Sequence, residues 1–442
     1  MFFRKYFKLT TILLVGACLI IALVPFFAFM TVWFSSITGH YTAWRLWDEI
    51  VLLLIILGCL WILFRHRIIW NRFRSMDIVW LITLYVLYEL VIGSVSLFKH
   101  DVSLKALGYG LVVDLRFFLF FLACWIIAGQ SGWLRRNWEK LVLIPAAIVV
   151  VFGLMQHFIL PYNFLSHFGY GTSTIPPFQT INQNLHYVRI LSTLRGSNPL
   201  GAYLVVIIAI VSALLVKRPS KRLFYAYTAL LIGSIITLFY TYSRSAWIAA
   251  ALVVVIIGVL NIRSRRVLKR VGLGMVVLFI AIGLLLFGLR NSSILQDTIF
   301  HTDSSHHTPQ TSNSAHLSAL KSGIKDAIAQ PLGDGPGTAG PASVYNNHPA
   351  RIAENYFIQI VQEVGWLGLF VFLAINWLVA KELWKHRQDS LALGLLASLV
   401  GICFVGLLSH VWVDDTLSYV WWGLGGICLS AYYKTNDKTA AH

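Results

Sequence analysis

Twelve runs of roughly 20 mainly apolar residues, each long enough to cross a bilayer as a helix, decide what this chain can fold into. Their cores lie near Thr10–Phe34, Ile50–Phe64, Ile78–Phe98, Gly108–Ala128, Leu141–Phe158, Pro199–Val216, Leu223–Tyr240, Ala246–Leu260, Val271–Leu289, Tyr356–Ala380, Leu391–His410 and Leu417–Tyr433. With 58% hydrophobic and only 12% charged residues, against roughly 25% charge in a soluble domain, the sequence excludes an ordinary cytosolic enzyme and a disordered chain. It predicts an all-α polytopic membrane protein of about 12 transmembrane helices, residues 1–442 forming a single integral membrane domain.

The net charge of +17 would by itself point to a polyanionic partner. Its distribution assigns it to topology instead. In the twelve-span scheme, 24 of the 35 Lys and Arg fall in one alternate set of connections, 10 fall in the other, and Arg116 lies inside a span. Cytoplasmic connections collect basic residues, so both termini are expected inside, and no nucleic acid partner is expected. The first segment opens MFFRKYFK, continues far longer than a secretory core and lacks a small-residue cleavage site, so it reads as a retained anchor. All five cysteines, Cys18, Cys59, Cys124, Cys403 and Cys428, fall within spans without a CxxC pair, which supports neither disulfides nor a cysteine metal site.

Two connections are long, 159–198 and 290–353, and both fall outside. Loops of that length in a compact bundle are functional or disordered. A twelve-span transporter of the major-facilitator type would place its long connection between spans six and seven on the inside; here that link is only KRPSKR, and the halves show no sequence echo. Within the second loop, HTDSSHHTPQTSNSAH reads as solvated chain, with His301, His306 and His307 lacking settled ligand spacing. LSALKSGIKDAIAQ carries helical periodicity and predicts a short amphipathic helix on the outer surface, and PLGDGPG supplies turns or a backbone anion nest.

Three external residues share one setting, each beside the start of a helix that descends into the membrane. Arg195 lies in STLRGSNPLGAY, where Asn198 can cap and Pro199 suits the first turn; Arg244 lies in TYSRSAW, where Ser243 or Ser245 can cap; Glu354 lies in ARIAENYF. A helix N-terminus offers free N–H groups and partial positive charge, so an arginine beside it strengthens an anion site. Two such sites suit a diphosphate. Interface anchoring of the arginines and a dipole role for Glu354 are the plainer alternatives. In the interior, Glu89, Asp114 and Arg116 lie at similar depth and read as a structural ion pair between spans, and Glu363 reads as a buried structural carboxylate.

On RGSNPLGAYL at 195–204, YSRSAW at 242–247, QPLGDGPG at 330–337 and ENYFIQIVQEVGWLGLF at 354–370, the chain resembles the O-antigen ligase superfamily, which includes Wzy-type polysaccharide polymerases. The resemblance implies a glycosyltransferase of the C-type membrane fold, with a ligase-like core over 180–380 that includes the large extracytoplasmic loop 290–353 between helices 9 and 10. It implies transfer of a glycan from an undecaprenyl diphosphate carrier to a glycan, lipid or protein acceptor on the outer face of the cytoplasmic membrane, for lipopolysaccharide or other cell-envelope polysaccharide. By the same resemblance Arg195 and Arg244 hold the diphosphate, and a residue near the loop's end activates the acceptor. Where ligases commonly show His-Asn, this chain has Glu354-Asn355, which keeps a base in place; His348 and Arg351 stand just upstream. The reaction is expected to be inverting, without metal or cofactor. A polymerase is the alternative within the class, and a lipid or solute flippase the alternative outside it.

Overall fold

The computed structural model describes residues 2–181, 183–262 and 312–432, and between 263 and 311 only residues 264, 266, 269, 270, 284, 287–289, 292 and 296. All of the expected span Val271–Leu289 except residues 284 and 287–289, the histidines His301, His306 and His307, and Arg290 at the start of the large loop lie outside the described residues.

The chain is an all-α polytopic membrane protein. Its long helices are α1 (Phe2–Leu23), α2 (Phe27–Thr38), α3 (Trp47–Arg65), α4 (Asp77–Phe98), α5 (Leu104–Gln130), α6 (Trp133–Phe158), α7 (Ser197–Val216), α8 (Lys221–Tyr240), α9 (Arg244–Asn261), α10 (Ser312–Ala329), α11 (Tyr356–Lys385), α12 (Ser390–Gly406) and α13 (Asp415–Leu429). Among the described residues nine helices are long and apolar enough to cross a membrane, the first running from Leu9 to Thr38 through a turn of 3-10 helix at Val24–Phe26. Pro25 occupies that turn because it has no N–H to donate to a continuing helix. The shorter apolar helix α12 and the helix α13 overlap the last two expected runs. Helix α12 ends four residues short of His410, which leaves that histidine in the connection to α13.

Helix α7 is buried almost all round, as befits a helix that is apolar on every face, and packs against α8, α9, α12 and α13. Helices α5 and α13 approach closely because Gly426 lies where a Cβ would come within 2.3 Å of the Phe121 carbonyl oxygen. Phe117, Phe118, Trp412, Trp421 and Trp422 stack around that contact and fill the middle of the bundle.

The first long loop is tied down to the bundle along its return strand. It contains an antiparallel hairpin, β1 (Gln179–Ile181) with β2 (Asn184–Arg189), and its return strand is sewn to three helices. The Ile190 N–H donates to the Tyr240 carbonyl at 3.0 Å, the Ser192 hydroxyl to the Val149 carbonyl at 2.7 Å, and the Thr193 hydroxyl to the Pro25 carbonyl at 2.7 Å. Val32 on α2 packs with Leu165, Tyr170 and Leu191 beneath the loop.

The second long loop ends in the PLGDGPG turn, which inserts between α4, α5 and α11. A Cβ on Gly337 would lie 2.2 Å from the Ala106 carbonyl oxygen, and its φ of +84° is left-handed, so glycine is required twice over. The amides of this turn are not an open nest. Asp334 N–H donates to the Gln362 carbonyl at 2.9 Å and Gly335 N–H to the Glu363 carbonyl at 2.7 Å, and Gly337 N–H donates to Glu363 Oε1 at 2.9 Å. The acceptor in the nest is the protein's own Glu363 carboxyl.

Those bonds satisfy carbonyls released by a break in α11, where Val364 and Gly365 leave helical geometry. The part beyond the break, Trp366–Lys385, spans roughly 30 Å at 1.5 Å per residue and is sufficient to cross the membrane alone. Glu363 is buried as expected, but at a helix break rather than within a continuous span. The large loop's helix α10 packs alongside the first half of α11 instead of lying free on a surface: Gly323 fits against Ala353 and Ile358, and Trp366 Nε1 donates to the Ala327 carbonyl at 3.2 Å.

Candidate functional site

The starts of α7, α9, α11 and α13 converge at one end of the bundle, and the loops tied to them bring the charged residues together. Arg195 precedes α7. Its Nε donates to Asp414 Oδ2 at 3.1 Å, and Asp414 in turn accepts from the Leu417 N–H at 3.2 Å as the N-cap of α13. Burial pushes the Asp414 carboxyl up, while Arg195 draws it back towards the charged form. The Arg195 guanidinium remains about a third exposed and lines a cavity of about 250 Å³ with Arg45, Tyr41, Thr31 and Asp415.

The cap of α7 differs from expectation. The helix begins at Ser197 with Gly196 at the cap position, and Asn198 instead accepts from Arg189 Nη2 at 2.6 Å. Arg189 also donates from Nε to the Thr241 carbonyl at 2.8 Å, which ties β2 to the tight turn before Arg244. In that turn Ser243 holds the cap position of α9 without a side-chain bond. Gly201 brings α7 against it, since a Cβ there would meet Ala246 at 2.9 Å and Ser243 at 3.1 Å. Burial and the neighbouring Arg244 guanidinium push Arg189 down to about 10, still cationic at neutral pH. Arg189 and Tyr242 line a second cavity of about 250 Å³ with Phe178, His157 and His186.

Glu354 sits immediately before α11 with its backbone at φ +53°, outside the usual range for a residue with a Cβ. Ser192 and Tyr242, each within three residues of a candidate arginine, are likewise left-handed. Such conformations cost of order 1–3 kcal/mol each and persist only where surrounding structure imposes them. The Glu354 carboxylate accepts from Nδ1 of His316 on α10, and that bond, the largest influence on it, holds the carboxyl below its ordinary value despite partial burial.

Behind Glu354 lies His410, close enough to feel both Glu354 and Arg195. Its Nδ1 is 2.7 Å from Gln359 Oε1, and Gln359 Nε2 donates to Glu363 Oε2 at 3.1 Å. With the amide nitrogen committed to Glu363, the amide oxygen faces His410, so Nδ1 carries the proton. Burial pushes His410 down to about 4, so it is neutral at pH 7, and its Nε2 is a buried lone pair without a protein partner. One arrangement thus runs from Arg195 past His410 and Glu354 to His316. Sequence reasoning found its two ends of charge, Arg195 and Glu354, but not His410, Asp414, His316 or Arg189. Only for Arg189 was there a local signal, as one more basic residue in an external loop.

The remaining candidates have other engagements. Asn355 caps α11, accepting from the Ile358 N–H at 3.0 Å and donating to the Leu407 carbonyl at 2.9 Å. Arg351 bonds Asp334 and Asp326 through Nη1 and Nε and Gln330 Oε1 through Nη2 at 3.0 Å, locking the end of α10 to the glycine turn. His348 is exposed, with Nε2 3.3 Å from the Asp101 carbonyl on the α4–α5 turn. In the interior Arg116 pairs with Glu49 at 3.1 Å and with Asp415. That is a correction to the expected pairing with Glu89 and Asp114, and it arises because α3 and the start of α13 both pack on α5. Among the described residues Asp48, Glu49 and Asp415 have spacing that could hold a cation, but the Arg116 guanidinium already pairs with two of the three.

No curated protein matches this sequence. Residues 229–373, about a third of the chain, match the family model Wzy_C, described as O-antigen ligase; the segment runs from α8 through the Arg244 turn, α10, the glycine turn and Glu354 into the membrane part of α11, and the match supports the resemblance to the O-antigen ligase superfamily.

Proposed function

We propose that this protein is a glycosyltransferase of the cytoplasmic membrane, C-type in fold, with both termini inside and its site on the outer face. It takes a glycan from an undecaprenyl diphosphate carrier and joins it to an acceptor hydroxyl. The O-antigen ligase domain supports ligase- or polymerase-like activity in general. The observation that supports the finer reading is that arginines and a carboxylate stand beside the starts of three helices, Arg195 before α7, Arg244 at the start of α9 and Glu354 before α11, with His410 close to both Glu354 and Arg195 and Arg189 close to Arg244.

The carrier diphosphate gains negative charge as the glycosidic carbon–oxygen bond breaks. Arg195 and Arg244, with Arg189 between the two helix starts, stabilise that charge more in the transition state than in the ground state. The acceptor hydroxyl loses its proton at the Glu354 end of the site and attacks the anomeric carbon from the face opposite the diphosphate, which inverts configuration. The neutral His410, buried behind Glu354, is too weakly basic to take this proton. Arginines here do the work that a divalent ion and paired carboxylates do elsewhere. Residues 180–380 form the working core, with His348, Arg351 and Asn355 at the rim or in support of the loop. A ligase and a Wzy-type polymerase differ in this scheme only in the acceptor.

The test uses membranes carrying the full-length protein and lipid-linked oligosaccharide. Arg195→Ala, Arg244→Ala and Glu354→Gln proteins that insert normally are expected to lose transfer, and wild-type transfer by all three overturns the reading.

A further inference from the structure

Helix α10 contributes more than a cover. At 100° per residue His316, Gly323 and Ala327 fall within roughly 20° of one line along the helix. Gly323 is the residue pressed against Ala353 and Ile358, and the Ala327 carbonyl takes the Trp366 indole N–H. The His316 side chain is therefore on the face that α10 turns towards α11. Its far end is held by Asp326, which accepts from Gln362 Nε2 at 3.0 Å and from Arg351, so the position of His316 is fixed by contacts two and three turns away.

His316 meets Glu354 through Nδ1. A carboxylate is acceptor-only, so Nδ1 carries the hydrogen of that bond, and the tautomer this selects in a neutral imidazole has its lone pair on Nε2. Both side chains are nearly two-fifths exposed, unlike the buried His410 beyond them. The carboxylate, by contrast, is engaged by its partner and held below its ordinary value, which makes it a poorer proton acceptor than a free one. A carboxylate bonded to one nitrogen of a partly exposed imidazole is the arrangement that fixes the tautomer and stabilises an imidazolium as it forms at the other nitrogen.

We infer that His316 is the catalytic base of this site, with Glu354 as the residue that positions it. The inference rests on the transferase reading above. In the step proposed, the acceptor O–H proton passes to His316 Nε2, the oxygen forms the new bond to the anomeric carbon, and the bond from that carbon to the diphosphate oxygen breaks with its electron pair leaving on the diphosphate. The imidazolium, paired to Glu354, then releases the proton to solvent. The strained backbone of Glu354 is consistent with a carboxylate aimed at a loop residue rather than down the axis of α11.

A brace between α10 and α11 is the competing role, and His316→Asn separates the two. The Asn amide can still donate to Glu354 but has no basic nitrogen. Full-length variants in membranes are supplied with undecaprenyl diphosphate-linked oligosaccharide extracted from the host, and release of undecaprenyl diphosphate is followed. Loss of general-base catalysis is expected to slow His316→Asn on the order of 10²- to 10⁴-fold with little change in the donor concentration needed for half-maximal rate. The His316→Ala protein is expected to regain part of its rate on addition of free imidazole, which no brace would do. Wild-type turnover by His316→Asn, with Glu354→Gln inactive, overturns the assignment of the base and leaves the transferase reading intact. Failure of Arg195→Ala, Arg244→Ala and Glu354→Gln to affect release removes the reading itself.

Discussion

Removing Arg195 has two separable consequences, and their sizes follow from its surroundings. Asp414 is buried and keeps only its cap bond to the Leu417 N–H once Arg195 is gone. Breaking a fully buried pair costs about 3–5 kcal/mol; with the Arg195 side chain a third exposed, solvent screening reduces this to about 1–3 kcal/mol. Loss of one donor to the departing diphosphate separately costs about 2.7–4 kcal/mol in the transition state, or 10²- to 10³-fold in rate. The double variant Arg195→Ala/Asp414→Asn removes the stranded charge while Asn still caps α13. Thermal unfolding in detergent, followed by intrinsic tryptophan fluorescence, and transfer in membranes measure the two effects. Stability is expected to return to within about 1 kcal/mol of wild type in the double variant, and transfer to stay as low as in Arg195→Ala. Recovery of transfer together with stability would show that Arg195 acts only through the fold.

Gly337→Ala is expected to prevent proper assembly, because the new Cβ meets backbone 2.2 Å away at a left-handed position; the measure is the yield of monodisperse protein on gel filtration, and wild-type yield would refute the close approach. The pH dependence of the loop follows from Glu354. Its carboxyl is depressed in the folded state, so its bond to His316 contributes fully above the ordinary value near ~4.3 and is lost as pH falls through the lower folded value. Protease sensitivity of α10 should therefore rise on acidification below about pH 4 in wild type, and should not change over that window in Glu354→Gln. Arg351→Ala removes the ties to Asp326, Asp334 and Gln330; faster hydrogen exchange across 316–334 is expected, with membrane insertion unchanged.

The parts of the structure legible from sequence are those set by local chemistry. Apolar runs mark the helices, the periodicity of 317–330 marks α10, and the isolated Arg244 in a three-residue turn marks a helix start. The residues that complete the site are joined over long separations. His410 meets Gln359 across 51 positions, and His316 reaches Glu354 only because α10 docks on α11. No spacing within either segment encodes that docking. The break at Gly365 was likewise hidden, since ENYFIQIVQEVGWLGLF reads as continuous apolar helix and the carbonyls it frees, on Gln362 and Glu363, are satisfied by Asp334 and Gly335 of a distant glycine turn. The ties of the first long loop were not legible because they are made by backbone groups and small hydroxyls, which carry no apolar pattern.

The central claim is that arginines at two helix starts and the Glu354 end of the site together transfer a lipid-linked glycan. Transfer from undecaprenyl diphosphate-linked oligosaccharide in membranes containing wild-type, Arg244→Ala or Glu354→Gln protein tests it most directly. The account predicts that both variants insert normally and that each loses at least about 10²-fold in transfer. Correctly inserted variants that transfer glycan at the wild-type rate would contradict it.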